Sequence, residues 1–94
     1  MYFNALEGRS KRRFFFMTPH EKAQKGLSLL KEAIIETIES HPNGLRNVDV
    51  ADLLEIRSDY LDGSKDFLSW SILGLLLNDA QIDRRGKKYY PRED

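Results

Sequence analysis

LRNVDVADLLEIRSDYLDGSKDFLSWSILGLLLNDAQIDRRGKKYY, residues 45–90, is the stretch that decides the fold of this chain. It predicts, in order, a short helix over 47–56, a polar turn over 57–64, an apolar helix over 65–77 and a basic hairpin over 81–90. Gly86 can supply the positive φ that the tip of a tight hairpin needs. Helix, turn, helix and charged ribbon in this order predict a mainly α fold with a small antiparallel β-wing, the winged helix-turn-helix.

A longer helix is predicted upstream of this stretch. Thr18 can cap it, Pro19 suits the first helical position, and Glu21 closes a capping box. An apolar stripe then recurs at spacings of three and four: Ala23, Leu27, Leu30, Ile34 and Ile38. The turn sequence HPNG (41–44) ends it, so this first helix is predicted over 19–40.

Short polar signals mark the starts of the two later helices. Leu45 and Arg46 are predicted to form a very short strand, after which Asn47 can cap the second helix. Ser64 or Asp66 can cap the third helix. The winged domain is therefore expected over 18–94, preceded by a flexible basic and aromatic arm over 1–17, where no clean periodicity is present.

Composition indicates one small globular domain. The chain has 94 residues, of which 40% are hydrophobic and 32% charged, and it has no cysteine, which excludes disulfides and thiol chemistry. No apolar run is long enough to span a bilayer, so a cytoplasmic, nucleoid-associated protein is expected, without membrane contact. The formal net charge is zero, but residues 41–63 carry five acidic and two basic side chains, whereas residues 81–94 carry five basic and three acidic ones. A polyanion would interact with the local positive charge of residues 81–94 rather than with the net charge of the chain.

The third helix is apolar almost all round, which leaves two interpretations open. Its core face is predicted to contain Leu68, Ile72, Leu75 and Leu76. The remaining apolar side chains are either buried deeply in a small core, or they form a homodimer interface through Trp70 and Leu77. The polar positions left for contacting a DNA groove are Asn47, Ser64, Lys65, Ser69 and, less directly, Ser71. Because this helix has no arginine, weak or shape-driven sequence discrimination is expected.

The hairpin carries the stronger nucleic-acid signal. Arg84, Arg85, Lys87 and Lys88 flank its glycine, so their charged groups can spread over a phosphate backbone or enter a minor groove. The alternative is a solvated turn whose charges protect an edge strand. Arg9, Lys11, Arg12 and Arg13 offer a second electrostatic arm, with an ordinary disordered tail as the alternative.

Residues for catalysis are lacking in the sequence. His20 and His41 have no nearby serine or second histidine to complete a relay. Asp59, Asp62 and Asp66 resemble a calcium loop only loosely, because their spacing is not that of an EF-hand. No enzyme activity, metal or cofactor is expected.

Several blocks of the sequence resemble a known group of domains. LRNVDVADLLEI (45–56), Tyr60, FLSWSILGLLL (67–77) and GKKYY (86–90) look like the winged-helix DNA-binding domains appended to some bacterial restriction endonucleases. The resemblance covers about residues 19–91, and LSWSILGLL (68–76) is its most specific block. In that group a separate domain cuts the DNA, so the resemblance implies binding without cleavage. The group's binding surface would correspond here to Ser64, Lys65, Ser69, Arg84, Arg85, Lys87 and Lys88.

The sequence thus leads to a non-catalytic protein that binds double-stranded DNA, such as a small transcriptional regulator or a DNA-targeting subunit, acting as a homodimer or in a larger protein complex. The second hypothesis is a protein-interaction winged helix that docks a partner through the apolar face of its third helix. A third and remote hypothesis is a small nuclease or a metal-dependent enzyme that uses the turn from Asp59 to Asp66.

Overall fold

Within the described residues, three helices precede a two-stranded hairpin. The computed structural model describes residues 16–59, 61, 63 and 65–93. Its elements are α1 (Pro19–Glu39), α2 (Asn47–Leu53), α3 (Phe67–Asn78), β1 (Ile82–Arg85) and β2 (Lys88–Pro91). The mainly α fold with an antiparallel β-wing is confirmed, and the arrangement is that of a winged helix. Most of the predicted arm, residues 1–15, lies outside the described part, as does Ser64.

Helix α1 begins with the predicted capping box. The Glu21 backbone N–H donates to Thr18 Oγ1 at 3.1 Å, and the Thr18 N–H donates to Glu21 Oε1 at 2.8 Å. Two of the four N–H groups that a helix start leaves without partners therefore find local acceptors. The first turns of the helix are exposed, whereas Ile34 and Ile38 near its end are fully buried.

Helix α2 begins at Asn47 itself, so the prediction that Asn47 caps it is wrong by one residue. Arg46 occupies the capping position, where its backbone N–H donates to Asp49 Oδ2 at 3.0 Å. The helix ends at Leu53 rather than at Ile56. Glu55 adopts a left-handed φ of 57°, and the Ile56 N–H donates back to the Ala51 carbonyl at 2.9 Å, which is the closure of a Schellman motif.

The hydrophobic core draws on every element. It contains Ile34, Ile38, Leu45, Val50, Ile72, Leu73, Leu76, Ile82 and Tyr89, with Leu27, Leu30, Ile35, Leu54 and Leu77 packed around it. The predicted core face of α3 is partly wrong. Ile72 and Leu76 are buried as expected, but Leu68 and Leu75 are 43% and 42% exposed, and Leu73 takes the inner position. Hydropathy could not select the rotation of this helix because leucines lie on all its sides.

A backbone bridge at Leu45 pairs the wing with the segment between α1 and α2. Leu45 donates its N–H to the Tyr89 carbonyl at 2.9 Å and accepts from the Tyr89 N–H at 2.7 Å, so the predicted short strand at Leu45 is confirmed as an isolated pairing. The Tyr90 ring lies directly against Gly44, where an added Cβ would stand 2.6 Å from Tyr90 Cε2. Gly44 also has a φ of +93°, so this junction requires glycine both for its backbone and for the space it leaves.

Replacement of Gly44 by alanine should therefore destabilise the fold. The left-handed backbone and the displaced tyrosine ring together predict a loss of about 1–3 kcal/mol in the free energy of unfolding. Gly26→Ala is the matched control, because a Cβ on that residue of α1 would meet nothing within 4 Å. It should stabilise by about 0.5–1 kcal/mol, since alanine favours a helix interior. Urea unfolding of both variants checks the pair, and a Gly44→Ala protein of unchanged stability would contradict this account of the junction.

Candidate nucleic-acid interface

The four wing cations lie on both faces of the hairpin. In the antiparallel register Arg84 pairs with Tyr89 and Arg85 pairs with Lys88, and side chains on successive residues of a strand point to opposite faces. Arg84 therefore shares a face with the buried Tyr89, and Arg85 and Lys88 share the other. Lys87 lies in the turn beside Gly86, whose φ of +64° is the predicted positive value.

Tyrosine rings position both arginines. The Arg85 guanidinium lies 3.8 Å from the centroid of the Tyr90 ring, and that of Arg84 lies 5.5 Å from the Tyr89 ring. Arg84 Nε also donates to the Gly86 carbonyl at 3.0 Å. A cation over an aromatic face is attracted by the ring quadrupole, so both guanidinium groups are oriented while other N–H donors remain available.

The positive charge of the wing is not neutralised locally. Arg84, Arg85, Lys87 and Lys88 are all exposed, and no carboxylate in the described part of the chain forms an ion pair with any of them. Lys88 acts at longer range on Asp49, whose pKa is lowered mainly by hydrogen bonds from Arg46 and in small part by the charge of Lys88. The pairing of Leu45 with Tyr89 places the wing beside the segment that leads into α2, and the four wing cations remain exposed.

Helix α3 begins at a buried polar centre. Asp66, which precedes its first residue, is 2% exposed and adopts a left-handed φ of 52°. Its carboxylate accepts from Arg57 Nε at 2.5 Å, and its backbone N–H donates to Asp59 Oδ1 at 3.3 Å. Of the two predicted caps, Ser64 and Asp66, Asp66 occupies the capping position, but its side chain makes no capping bond. The Leu68 N–H donates to Ser58 Oγ at 2.9 Å instead.

Two predicted groove contacts are instead part of this centre. Ser69 is completely buried, and its hydroxyl donates to Asn47 Oδ1 at 2.6 Å and lies 3.1 Å from the Asp66 carbonyl. Asn47 Nδ2 donates to the same carbonyl at 3.2 Å. The prediction that Ser69 reads DNA is therefore wrong, and Asn47 has its amide engaged in joining α2 to α3. The sequence alone does not distinguish Asn47 and Ser69 from polar residues that face a groove, which is why both were predicted as groove contacts.

Lys65 remains exposed at the start of α3, where it forms an ion pair of 3.3 Å with Asp59. Hydrogen bonds from Asp66 and Lys65 lower the pKa of Asp59, although desolvation, the largest single influence, acts in the opposite direction. Because this pair is at the surface, a phosphate can compete with the carboxylate for the ammonium group.

The solvent side of α3 is apolar and uncharged. Trp70 is 53% exposed, and Leu68 and Leu75 lie at the other edge of the same surface. Phe67, Gly74 and the half-buried Ser71 lie between these edges, and the Phe67 ring centroid is 5.7 Å from that of Trp70. Leu77, the other residue of the predicted homodimer interface, is partly buried against the core.

The acidic turn does not assemble a metal site within the described part of the chain. No three histidine or carboxylate side chains converge there, and Asp59 and Asp66 are engaged by Lys65 and Arg57. Asp62 lies outside the described residues. His41 uses Nδ1 to contact the Thr37 carbonyl at 2.8 Å, at the end of α1.

Comparison with known proteins adds no relative. No protein-family model matches the chain, and neither a curated protein nor a solved structure matches it. Among the described helices, none combines the length and the apolar character needed to cross a membrane.

Removing the charge of Asp66 should lower the free energy of unfolding more than removing the charge of Asp52, the second carboxylate that pairs with Arg57. Arg57 also pairs with Asp52 at 2.9 Å, but the Asp52 side chain is 58% exposed, against 3% for Asp66. Asparagine tolerates the left-handed backbone, so Asp66→Asn removes the charge alone and should cost about 1–3 kcal/mol in unfolding free energy. Asp52→Asn should cost less than about 1 kcal/mol. Equal losses in chemical denaturation would contradict the central role of Asp66.

The Asp49 carboxylate should make stability depend on acid pH. Its folded pKa lies below the ordinary 3.8, chiefly because of the Arg46 side-chain hydrogen bond. Because the pKa of Asp49 is lower in the folded chain, its charge stabilises the fold at pH values above the unfolded pKa. This stabilisation is lost as the pH falls through the folded pKa. The difference in melting temperature between the native chain and Asp49→Asn should therefore be largest near neutrality and shrink below about pH 4. A difference that is constant with pH would show that the charge of Asp49 does not matter.

Proposed function

We propose that this protein binds duplex DNA without catalysis and that its wing supplies most of the affinity through phosphate contacts. The observation that carries the proposal is the set of four exposed wing cations with no carboxylate partner in the described residues. Phosphate contacts supply nearly all non-specific affinity in such proteins. The winged-helix arrangement supports the same proposal, because most domains of this shape bind nucleic acid.

The arrangement of the wing suits a phosphate backbone better than a base edge. Its cations lie on two faces of a narrow ribbon, so they can reach phosphates on both sides of it. Arg84 and Arg85 are already oriented by tyrosine rings, which reduces the side-chain freedom lost on binding. Phosphate contacts carry no sequence information directly, so the wing positions the protein and does not select its site.

The biological setting follows from this binding mode. The resemblance to winged-helix domains of restriction endonucleases supports a role in targeting DNA for another protein, and a small transcriptional regulator uses the same chemistry. Residence on the nucleoid is the corresponding location. No step of either role requires a cofactor.

The apolar side of α3 favours a second candidate function, protein docking. Leu68, Trp70 and Leu75 place large apolar side chains in water, and such surfaces often mark protein interfaces. A homodimer or a larger complex would cover them. Docking through this face should depend little on salt, because α3 itself has no charged residue.

A salt titration of DNA binding tests the wing. The association constant should fall steeply between about 50 and 200 mM salt, with a logarithmic slope of about 0.9 for each phosphate contacted. Arg84→Gln combined with Arg85→Gln should reduce the magnitude of that slope by up to about 2 and weaken binding to all sequences alike. Fluorescence anisotropy with a labelled duplex of random sequence provides the measurement.

The control variant loses the same amount of charge at a site away from the wing. Lys22→Gln combined with Lys25→Gln removes two exposed cations from the first turns of α1 and should leave the slope nearly unchanged. Equal slopes for the wing variant and the native chain would remove the wing from the interface. No binding to duplex at low salt would overturn the DNA proposal and favour docking.

A further inference from the structure

We propose that the exposed face of α3 pairs with the same face of a second copy of this chain, with the two helices antiparallel. The inference does not depend on the proposed DNA binding. It rests only on the second candidate function, docking through this face, and it names the partner and the orientation of that partner.

The apolar surface of α3 is large enough for a reversible interface. Its large side chains are between 37% and 53% exposed: Phe67, Leu68, Trp70 and Leu75. At these exposures, large apolar and aromatic side chains leave roughly 350 Å² of each copy in water. With the smaller residues between them, two copies would bury roughly 1,000 Å², the lower end of specific protein interfaces. A dimer with a Kd in the micromolar range is therefore expected.

The absence of charge on the helix suits pairing with itself. Helix α3 contains no charged residue. In a twofold dimer the same patch is present on both subunits, so charges near the axis would meet charges of the same sign. The α3 face avoids this repulsion, and pairing with its copy removes apolar side chains from water on both sides at once.

The residues along one edge of α3 are complementary to the same edge in reverse order. Leu68, Leu75 and Asp79 align on this edge at 3.6 residues per turn, and Lys65 precedes the helix by two residues. Along the chain the edge therefore presents a cation, two leucines and an anion. In an antiparallel pair each Leu68 lies opposite the other copy's Leu75, and each Lys65 lies opposite the other copy's Asp79, within about one residue rise of 1.5 Å.

The charges at the two ends of this edge favour the antiparallel orientation. Lys65 pairs with Asp59 at 3.3 Å within the chain. Asp79 pairs with Lys31 at 3.7 Å. Both are surface pairs, which contribute little by themselves, so Lys65 and Asp79 can also interact with another copy. A parallel pair would instead bring each of these charges against its own equivalent, which is unfavourable. A foreign partner would need the same ordered edge, whereas a second copy already has it.

Trp70 is the single tryptophan of the chain, so its fluorescence reports directly on this face. Between about 1 μM and 1 mM protein the mass in sedimentation equilibrium should double. Tryptophan emission should shift to shorter wavelength over the same range, because the Trp70 ring leaves water. A single mass at all concentrations overturns the proposal. Short-wavelength emission at the lowest concentration with a single mass shows that the chain covers the face itself, and it overturns the proposal as well.

Exposed leucines on two helices provide matched variants. Leu75→Asp places two like charges in the contact and should prevent the doubling of mass. Leu29→Asp, at a leucine of α1 that is 49% exposed, should leave the doubling unchanged. Circular dichroism shows whether each variant folds, and if Leu75→Asp does not, Leu68→Asp takes its place. Doubling that persists in the folded variant places the interface elsewhere and overturns the proposal.

Exchange of the end charges tests the orientation. Lys65→Glu alone and Asp79→Lys alone each bring like charges together twice in a dimer, so each should weaken self-association by roughly tenfold. An equimolar mixture of the two variants should recover the native affinity in mixed dimers. In such a dimer the new glutamate meets the new lysine at one end, and the native pair remains at the other. Unweakened single variants, or a mixture without recovery, overturn the proposal.

The salt titration of DNA binding is a separate measurement, so the two proposals fail separately. Dimerisation with these properties in a chain that binds no duplex supports the inference and overturns the proposed DNA binding. Salt-sensitive binding to duplex by a chain that stays monomeric does the reverse.

Discussion

The buried Asp66 joins the second helix, the third helix and the polar turn between them. Its carbonyl accepts from Asn47 in α2 and lies 3.1 Å from the Ser69 hydroxyl in α3, and its carboxylate accepts from Arg57 in the polar turn. Such a centre is stable only when its polar groups are satisfied, since an unpaired buried group carries the full desolvation penalty. These bonds also turn Ser69 inward and so select which side of an otherwise uniform apolar helix meets the core.

Local signals made much of the fold predictable. The capping box at Thr18 and Glu21 located α1, and Gly86 between basic residues located the wing. The rotation of α3 was not predictable, because its apolar residues surround the whole helix and only distant hydrogen bonds distinguish the sides. For the same reason Ser69 looked like a surface residue. The wing cations were found at their predicted places, whereas the candidates on the helices were not all available to DNA.

In the proposed function, the wing supplies the affinity for the phosphate backbone. The wing offers cations and no means to tell one base from another. Helix α3 presents an uncharged and largely apolar surface to the solvent. The zero net charge of the chain is unevenly distributed, because the wing is basic and the middle segment is acidic.

The bridge between Leu45 and Tyr89 has a mechanical consequence. Tyr89 is the neighbour of Lys88, so the hairpin is anchored within one residue of its basic tip, and Tyr90 is held against Gly44 just beyond. Because the hairpin is held so near its tip, it moves with the segment that joins the first two helices rather than independently of it. Any ligand or partner that displaces this segment would reorient the four wing cations together.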